Sequence, residues 1–290
     1  MKDSLQRFLF EHAPIRGEIA HLDATWQAVL DRHDYPPALS AVLGEMMAAA
    51  ALLAATLKFD GTLIMQIQGS GPVRLLVVEC TSQHHMRATA KWSGDEWGSA
   101  GLRDLVGDGK FAITLVSDGD RKSYQGVVAL EGESVAQILE HYMRTSEQLE
   151  TRLWLVCDGA RAAGLLLQKL PQQGEVDTDD WQRALHLAST LTRRELLELP
   201  APQLLHRLYH EEDIRVFDSR PVSFRCSCSR ERVAAMLRML GPDEVRSILN
   251  ERGAIDVNCE FCNRKYQFDS VDAEQVFAAE HPLQAGATRH

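Results

Sequence analysis

The chain has 290 residues, 45% hydrophobic, 25% charged and 7% aromatic, an ordinary globular composition long enough for more than one domain. Its 31 basic and 41 acidic residues leave a formal charge of −10, so it has no electrostatic reason to seek phosphate backbones or anionic membrane surfaces. Residues 1–11 (MKDSLQRFLFE) interleave charges without building an apolar export segment, and a cytoplasmic location is the expectation.

In chain order, residues 16–22 read as a strand and 24–32 as a short helix, with Pro36 and Pro37 as a break. A long helix is predicted over 38–57, with Leu39, Val42, Leu43, Met46, Met47 and Leu53 on its apolar face. Its alanine-rich run falls far short of the ~20 residues a bilayer requires, and a buried helix explains it better. From Gly61 the period becomes that of strands, over 63–68, 73–79, 86–91, 110–116, 124–130, 152–157 and 163–168. Turn signals separate several of them: Gly69-Ser70-Gly71-Pro72, Asp108-Gly109, Asp118-Gly119 and Asp158-Gly159. An amphipathic helix over 134–148 puts Val135, Ile138, Leu139 and Tyr142 on one face. Helices among antiparallel hairpins predict an α+β or mixed α/β N-terminal domain over 1–172, with antiparallel-rich sheets and packed helices.

The polar, acidic stretch 171–180 marks a boundary. After it come short helical patterns over 181–191, 193–199 and 202–209, broken at Pro200 and Pro202, with nine leucines between Leu185 and Leu208. Isolated helices of this length are marginal in water. This helical linker, residues 173–218, must therefore lie against a neighbouring domain, and it is the stretch expected to be conditionally ordered. A small C-terminal domain follows over 219–290. Its expected parts are a strand over 222–225, a helix over 230–239 capped by Ser229, and a helix over 242–252 stopped by Gly253. A hairpin of 255–258 with 265–268 and a closing helix over 271–280 complete it.

Four of the six cysteines fall in this tail, as Cys226-Ser227-Cys228 and Cys259-Glu260-Phe261-Cys262. Tetrahedral zinc takes four thiolates at about 2.3 Å, and two short cysteine pairs on separate loops meet that demand. One Zn2+ per chain is expected. The bland alternative, four reduced core cysteines, requires close pairing twice by accident. In a domain this small, the metal would supply folding energy on the order of 10–16 kcal/mol, and it would hold the sulfurs as the thiolates that oxidants attack. Whether the site is a static staple or a redox switch is left open by the spacing. Cys80 and Cys157 lie in apolar strand surroundings and read as inert core residues.

Other motifs carry less. Gly69-Ser70-Gly71 lacks the third glycine of a dinucleotide loop and no helix follows, so it is a hairpin turn; His84-His85 reads as a polar turn before a metal site. The chain carries no nucleophile elbow, HExxH or P-loop, which disfavours an ATP-driven machine. Cys259 and Cys262 alone would suggest a thiol oxidoreductase, but the strand–CxxC–helix context is missing. A zinc-ribbon nucleic-acid regulator is opposed by the balance of residues 221–269, eight basic against seven acidic.

The tail pattern, Cys-x-Cys, about thirty residues, then Cys-x-x-Cys, resembles the 33-kDa redox-regulated heat-shock chaperone family of bacteria. The resemblance extends over nearly the whole chain. It includes Arg16-Gly17-Glu18, Leu43-Gly44-Glu45, Lys58-Phe59-Asp60-Gly61, Gln66-Ile67-Gln68-Gly69-Ser70-Gly71-Pro72-Val73 and Leu167-Gln168-Lys169-Leu170-Pro171. It implies a non-enzymatic, ATP-independent holdase that is inactive when reduced and zinc-loaded. It also implies oxidation to the disulfides Cys259–Cys262, formed first, and Cys226–Cys228. Metal loss and unfolding of tail and linker would follow, then capture of unfolding client proteins, often as a homodimer, with no nucleotide, nucleic acid or membrane involved. The linker faces carrying Leu185, Ala188 and Leu191, and Leu204, Leu205 and Leu208, are the candidate client-binding surface. Each large side chain buried there is worth roughly 1.5–3 kcal/mol.

Overall fold

The computed structural model describes residues 2–94, 100–117, 119, 123–171 and 178–278. The turn expected at Asp118, the polar stretch 172–177 and the last two positions of the helix expected over 271–280 lie outside these. The chain divides into two compact units, Met1–Arg225 and Cys226–His290.

The first unit runs β1 (Ser4–Phe10), β2 (Ile15–Leu22), α1 (Ala24–Leu30), α2 (Pro37–Thr56), β3 (Gly61–Gly69), β4 (Val73–Thr81), β5 (His85–Trp92), α3 (Leu102–Val106), β6 (Gly109–Ser117) and β7 (Ser123–Ala129). It continues with α4 (Val135–Thr145), β8 (Thr151–Cys157), β9 (Ala162–Lys169), α5 (Thr178–Ser189), α6 (Arg193–Glu198), α7 (Ala201–Tyr209), β10 (Ile214–Val216), β11 (Arg220–Pro221) and β12 (Ser223–Phe224). Two sheets form. One has the order β10-β1-β2-β9-β8, with β11 also on β1; the other is β12-β5-β4-β3-β6-β7. Among the described residues all pairings in these two sheets are antiparallel except β12 on β5. The α+β class with antiparallel-rich sheets expected from the periodicity is the one observed.

α2 packs against strands of both sheets. It is apolar on all sides, so every face must be covered, and its alanines let the strands approach. It has the length and hydropathy of a membrane span, but 83% of its most apolar window is buried in this core. Pro37 opens it at a first-turn position, where the missing N–H costs nothing. The Arg16-Gly17-Glu18 run serves it and its sheet. Arg16 donates to the Thr56 carbonyl at 3.1 Å and Arg7 to that of Ala55, placing cations at the helix C-terminus. A Cβ on Gly17 would stand 2.0 Å from the Phe8 ring. Gly69 and Gly71 are needed for a similar reason, because the β3–β4 turn lies against the backbone of Leu105 and Val106. It is a hairpin turn, as its residues indicate.

The first sheet is buried on both faces. Leu5, Ala162 and Leu166 face the core shared with α2, while Phe8, Ile15, Ile19, Ala163, Leu165 and Leu167 face a second apolar cluster. That second cluster is closed by α5, α6 and α7. Ser134 caps α4 by accepting from the Gln137 amide, and Thr192 with Glu195 forms a capping box on α6. After α7, residues 214–224 run as a strap along β1 and then β5. The strand expected over 222–225 is the end of this strap, so residues 219–225 pack with the first unit. Val222 is buried there, and Arg220 reaches buried Glu18 at 3.0 Å.

The second unit contains α8 (Arg230–Leu240), α9 (Pro242–Arg252), β13 (Ile255–Asn258), β14 (Lys265–Phe268) and α10 (Ser270–Ala278). Gly241 and Gly253, both at positive φ, end the two longer helices. The core is small: Ala234, Leu237, Val245, Ile255, Tyr266, Phe268, Ala273 and Val276.

Candidate metal centre

The β13–β14 hairpin pairs Ile255 with Phe268 and Asn258 with Lys265, leaving residues 259–264 as a tight knuckle. The Cys259 amide donates to the Arg264 carbonyl at 2.9 Å and the Asn263 amide to the Cys259 carbonyl at 2.8 Å. Asn263 takes the left-handed conformation, φ 56°, that asparagine tolerates. Cys226 and Cys228 lie on the extended approach to α8. Its N-cap, Ser229, accepts from the Arg232 amide at 3.3 Å.

These two loops bring the four sulfurs within 4.8 Å of one another. Cys226 Sγ lies 3.6 Å from Cys259 Sγ and Cys228 Sγ 3.3 Å from Cys262 Sγ; all four cysteines are half-buried and none is joined in a disulfide. A tetrahedron with about 2.3 Å metal–sulfur bonds has edges of about 3.8 Å, so this donor set fits a thiolate-preferring metal ion. The electrostatics without a cation carry the same message. Burial pushes the Cys262 thiol up to about 12, against an amide bond from Arg264, and burial likewise raises Cys259. At Cys228 burial also opposes ionisation, yet hydrogen bonds from Tyr266 and the neighbouring thiols hold it at about 7. Four thiols packed this closely cannot all ionise unless a cation sits among them.

The other residues singled out by their sequence context lie elsewhere. Cys80 and Cys157 are buried in the first unit, where burial pushes their thiols up to about 12 and about 11. His84 occupies the β4–β5 turn. Leu185, Ala188, Leu191, Leu204, Leu205 and Leu208 all join the second apolar cluster; Ala188, Leu204, Leu205 and Leu208 are at most 3% exposed. Cysteine spacing gives no hint of Tyr266, whose hydroxyl donates to Cys228 Sγ at 3.1 Å. Alternation along β14, with Tyr266 and Phe268 inward, is the signal that could have found it.

Fold and site define a class: a two-sheet α+β domain joined to a small four-cysteine module able to hold a metal ion. A family model described as Hsp33 protein matches residues 3 to 269. The 33 kDa chaperonin of Methylobacillus flagellatus is 53% identical over 292 residues, covering 100% of this chain and 99% of the relative. That of Chromobacterium violaceum is 52% identical over 290 residues, covering 99% and 98%. The crystal structure of the 33 kDa chaperonin from Thermotoga maritima shares the fold, with a TM-score of 0.82 at 21% identity, over 96% of this chain and all of that one. The chain belongs to the Hsp33 family of chaperones.

Proposed function

We propose that this chaperone is an ATP-independent, redox-gated holdase of the cytoplasm, with Cys226, Cys228, Cys259 and Cys262 as both metal ligands and sensor. The observation that carries the reading is the convergence of four thiols in a module whose core, among the described residues, has eight buried members. Bound Zn2+, one per chain, would supply folding energy to that module and keep the sulfurs as thiolates. The organisation proposed is an N-terminal domain over 1–172, a helical linker over 173–218 and a switch over 219–290.

Oxidation acts on the ligands in pairs. One thiolate of Cys259 and Cys262 attacks a peroxide oxygen, the O–O bond breaks, and a sulfenic acid and water result once a proton is taken up. The second thiolate displaces the sulfenic oxygen, which leaves as water with another proton, and the S–S bond forms. Two electrons pass from sulfur to peroxide. Cys226 and Cys228 follow by the same steps, after which no thiolate donors remain and the small core stands alone.

The linker helices pack on one face of the first sheet through Leu185, Ala188, Leu191, Leu204, Leu205 and Leu208. Its helices have 12, 6 and 9 residues, too short to persist without that docking. Their release would free two apolar surfaces for unfolding client proteins, the helix faces and the sheet beneath, in a form that pairs as a homodimer. No nucleotide, nucleic acid, membrane or catalytic turnover is required.

The test is an aggregation assay beside metal and thiol counts. Reduced, zinc-loaded protein should leave a heat-denatured client unprotected; treatment with peroxide and heat should release zinc, consume four thiols and give protection without nucleotide. Protection that precedes any loss of zinc or thiols refutes the proposal.

A further inference from the structure

The removable hydrogen bond at the cluster points to a second level of control. We propose that Tyr266 is a positioning residue of the switch, whose hydroxyl, held on the Cys228 sulfur, restrains oxidation of the Cys226–Cys228 pair. This rests on the redox-gated reading above and names the side chain that would tune it.

Tyr266 is 7% exposed, its ring packed in the module's core with Phe268 and Ile255. Its hydroxyl ends 3.1 Å from Cys228 Sγ. The phenol proton is thereby directed at the sulfur. A metal-bound Cys228 thiolate would accept the same bond. Such outer contacts orient ligand atoms and commonly change metal affinity 10- to 100-fold.

The consequence for oxidation follows from the lone pair. To form the Cys226–Cys228 disulfide, a sulfur must present electrons to a peroxide oxygen; the other thiolate then displaces the sulfenic oxygen as water, with two protons consumed overall. A sulfur whose lone pair is engaged by a hydroxyl proton is a poorer nucleophile. The second cysteine pair is served differently: Cys259 accepts from the backbone amides of Cys262 and Phe261, and Cys262 from that of Arg264. No side-chain substitution removes those amide bonds. The hydroxyl of Tyr266 therefore acts on one pair only, and it can be deleted without touching the ring.

The experiment compares full-length, zinc-loaded wild type with Tyr266→Phe under peroxide. Thiol trapping and mass spectrometry read the initial rate of each disulfide while the other pair is still reduced, and chelator competition reads zinc affinity. Loss of one charge-assisted hydrogen bond should speed formation of Cys226–Cys228 by about tenfold. Cys259–Cys262 should form at the wild-type rate and zinc affinity should fall. 3-Fluorotyrosine placed at position 266, a stronger donor of nearly the same shape, should slow the same pair, and it decides the matter if the phenylalanine variant does not fold. An unchanged Cys226–Cys228 rate overturns the proposal. Equal acceleration of both pairs also overturns it, since that marks a loosened module. Wild-type protein that keeps its zinc and four thiols through peroxide and heat overturns the gating itself, a result that needs no variant.

Discussion

Leu204→Ala tests the linker directly. Leu204 is fully buried on α7, in the cluster that joins the linker helices to Phe8, Ile19, Leu165 and Leu167. Truncating a buried leucine to alanine costs about 3–4 kcal/mol from lost transfer energy and the cavity left behind. The main core around α2 does not contain Leu204, so the cost falls on docking of the linker. At about 1.4 kcal/mol per tenfold, the undocked population rises by a factor of about 100 to 1,000. Hydrogen exchange of residues 181–209 should accelerate accordingly in reduced, zinc-loaded protein, and light scattering should show a heated client protected without oxidant. Gln203→Ala, exposed on the same helix, should change neither. If Leu204→Ala exchanges fast through the linker and the client still aggregates as it does with wild type, exposure of this face is not what makes the chaperone active.

Three further outcomes follow from the geometry. Burial raises Glu45 up to about 7 from 4.5, with Arg193 pulling the other way. The folded chain thus binds this proton more tightly than the unfolded chain; its stabilising effect is full below pH 4.5 and lost as pH rises through 7. Glu45→Gln should therefore stabilise by up to about 2–3 kcal/mol at pH 8 and by little at pH 4.5, read as Tm at both. Removing metal with a chelator, or replacing Cys228 by serine, should erase exchange protection in residues 226–278, because the small core seen among the described residues cannot replace a contribution on the order of 10 kcal/mol. Protection retained there would mean the module folds without a cation. Gly17→Ala drives a Cβ to 2.0 Å from the Phe8 ring and should cost about 1–3 kcal/mol, measured as a lowered urea midpoint with unchanged slope.

What could be read from the residues was local. β3 to β6 alternate cleanly between turn signals, so the sequence located them to within a residue or two, and the knuckle followed from cysteine spacing. β1 escaped because Gln6 and Arg7 interrupt its pattern. Their partners are the Phe217 carbonyl, Glu18 and the Ala55 carbonyl, up to 211 residues away. β10, β11 and β12, two or three residues each, exist because β1 and β5 offer edges to pair with, and no window that short carries a period. One long-range feature did leave a local trace. Residues 162–169 of β9 are almost uninterruptedly buried, Ala162 and Leu166 against α2, Ala163, Leu165 and Leu167 the other way. A strand with no polar face demands a layer on each side, and with α2 on one side the other must be supplied by the leucine-rich segment that follows. The same strand then sets what is at stake when the cover opens. Leu165, Leu167, Ile19 and Phe8 lie on a sheet whose ladder bonds run strand to strand, so undocking of α5–α7 would uncover an ordered apolar surface together with the freed helix faces.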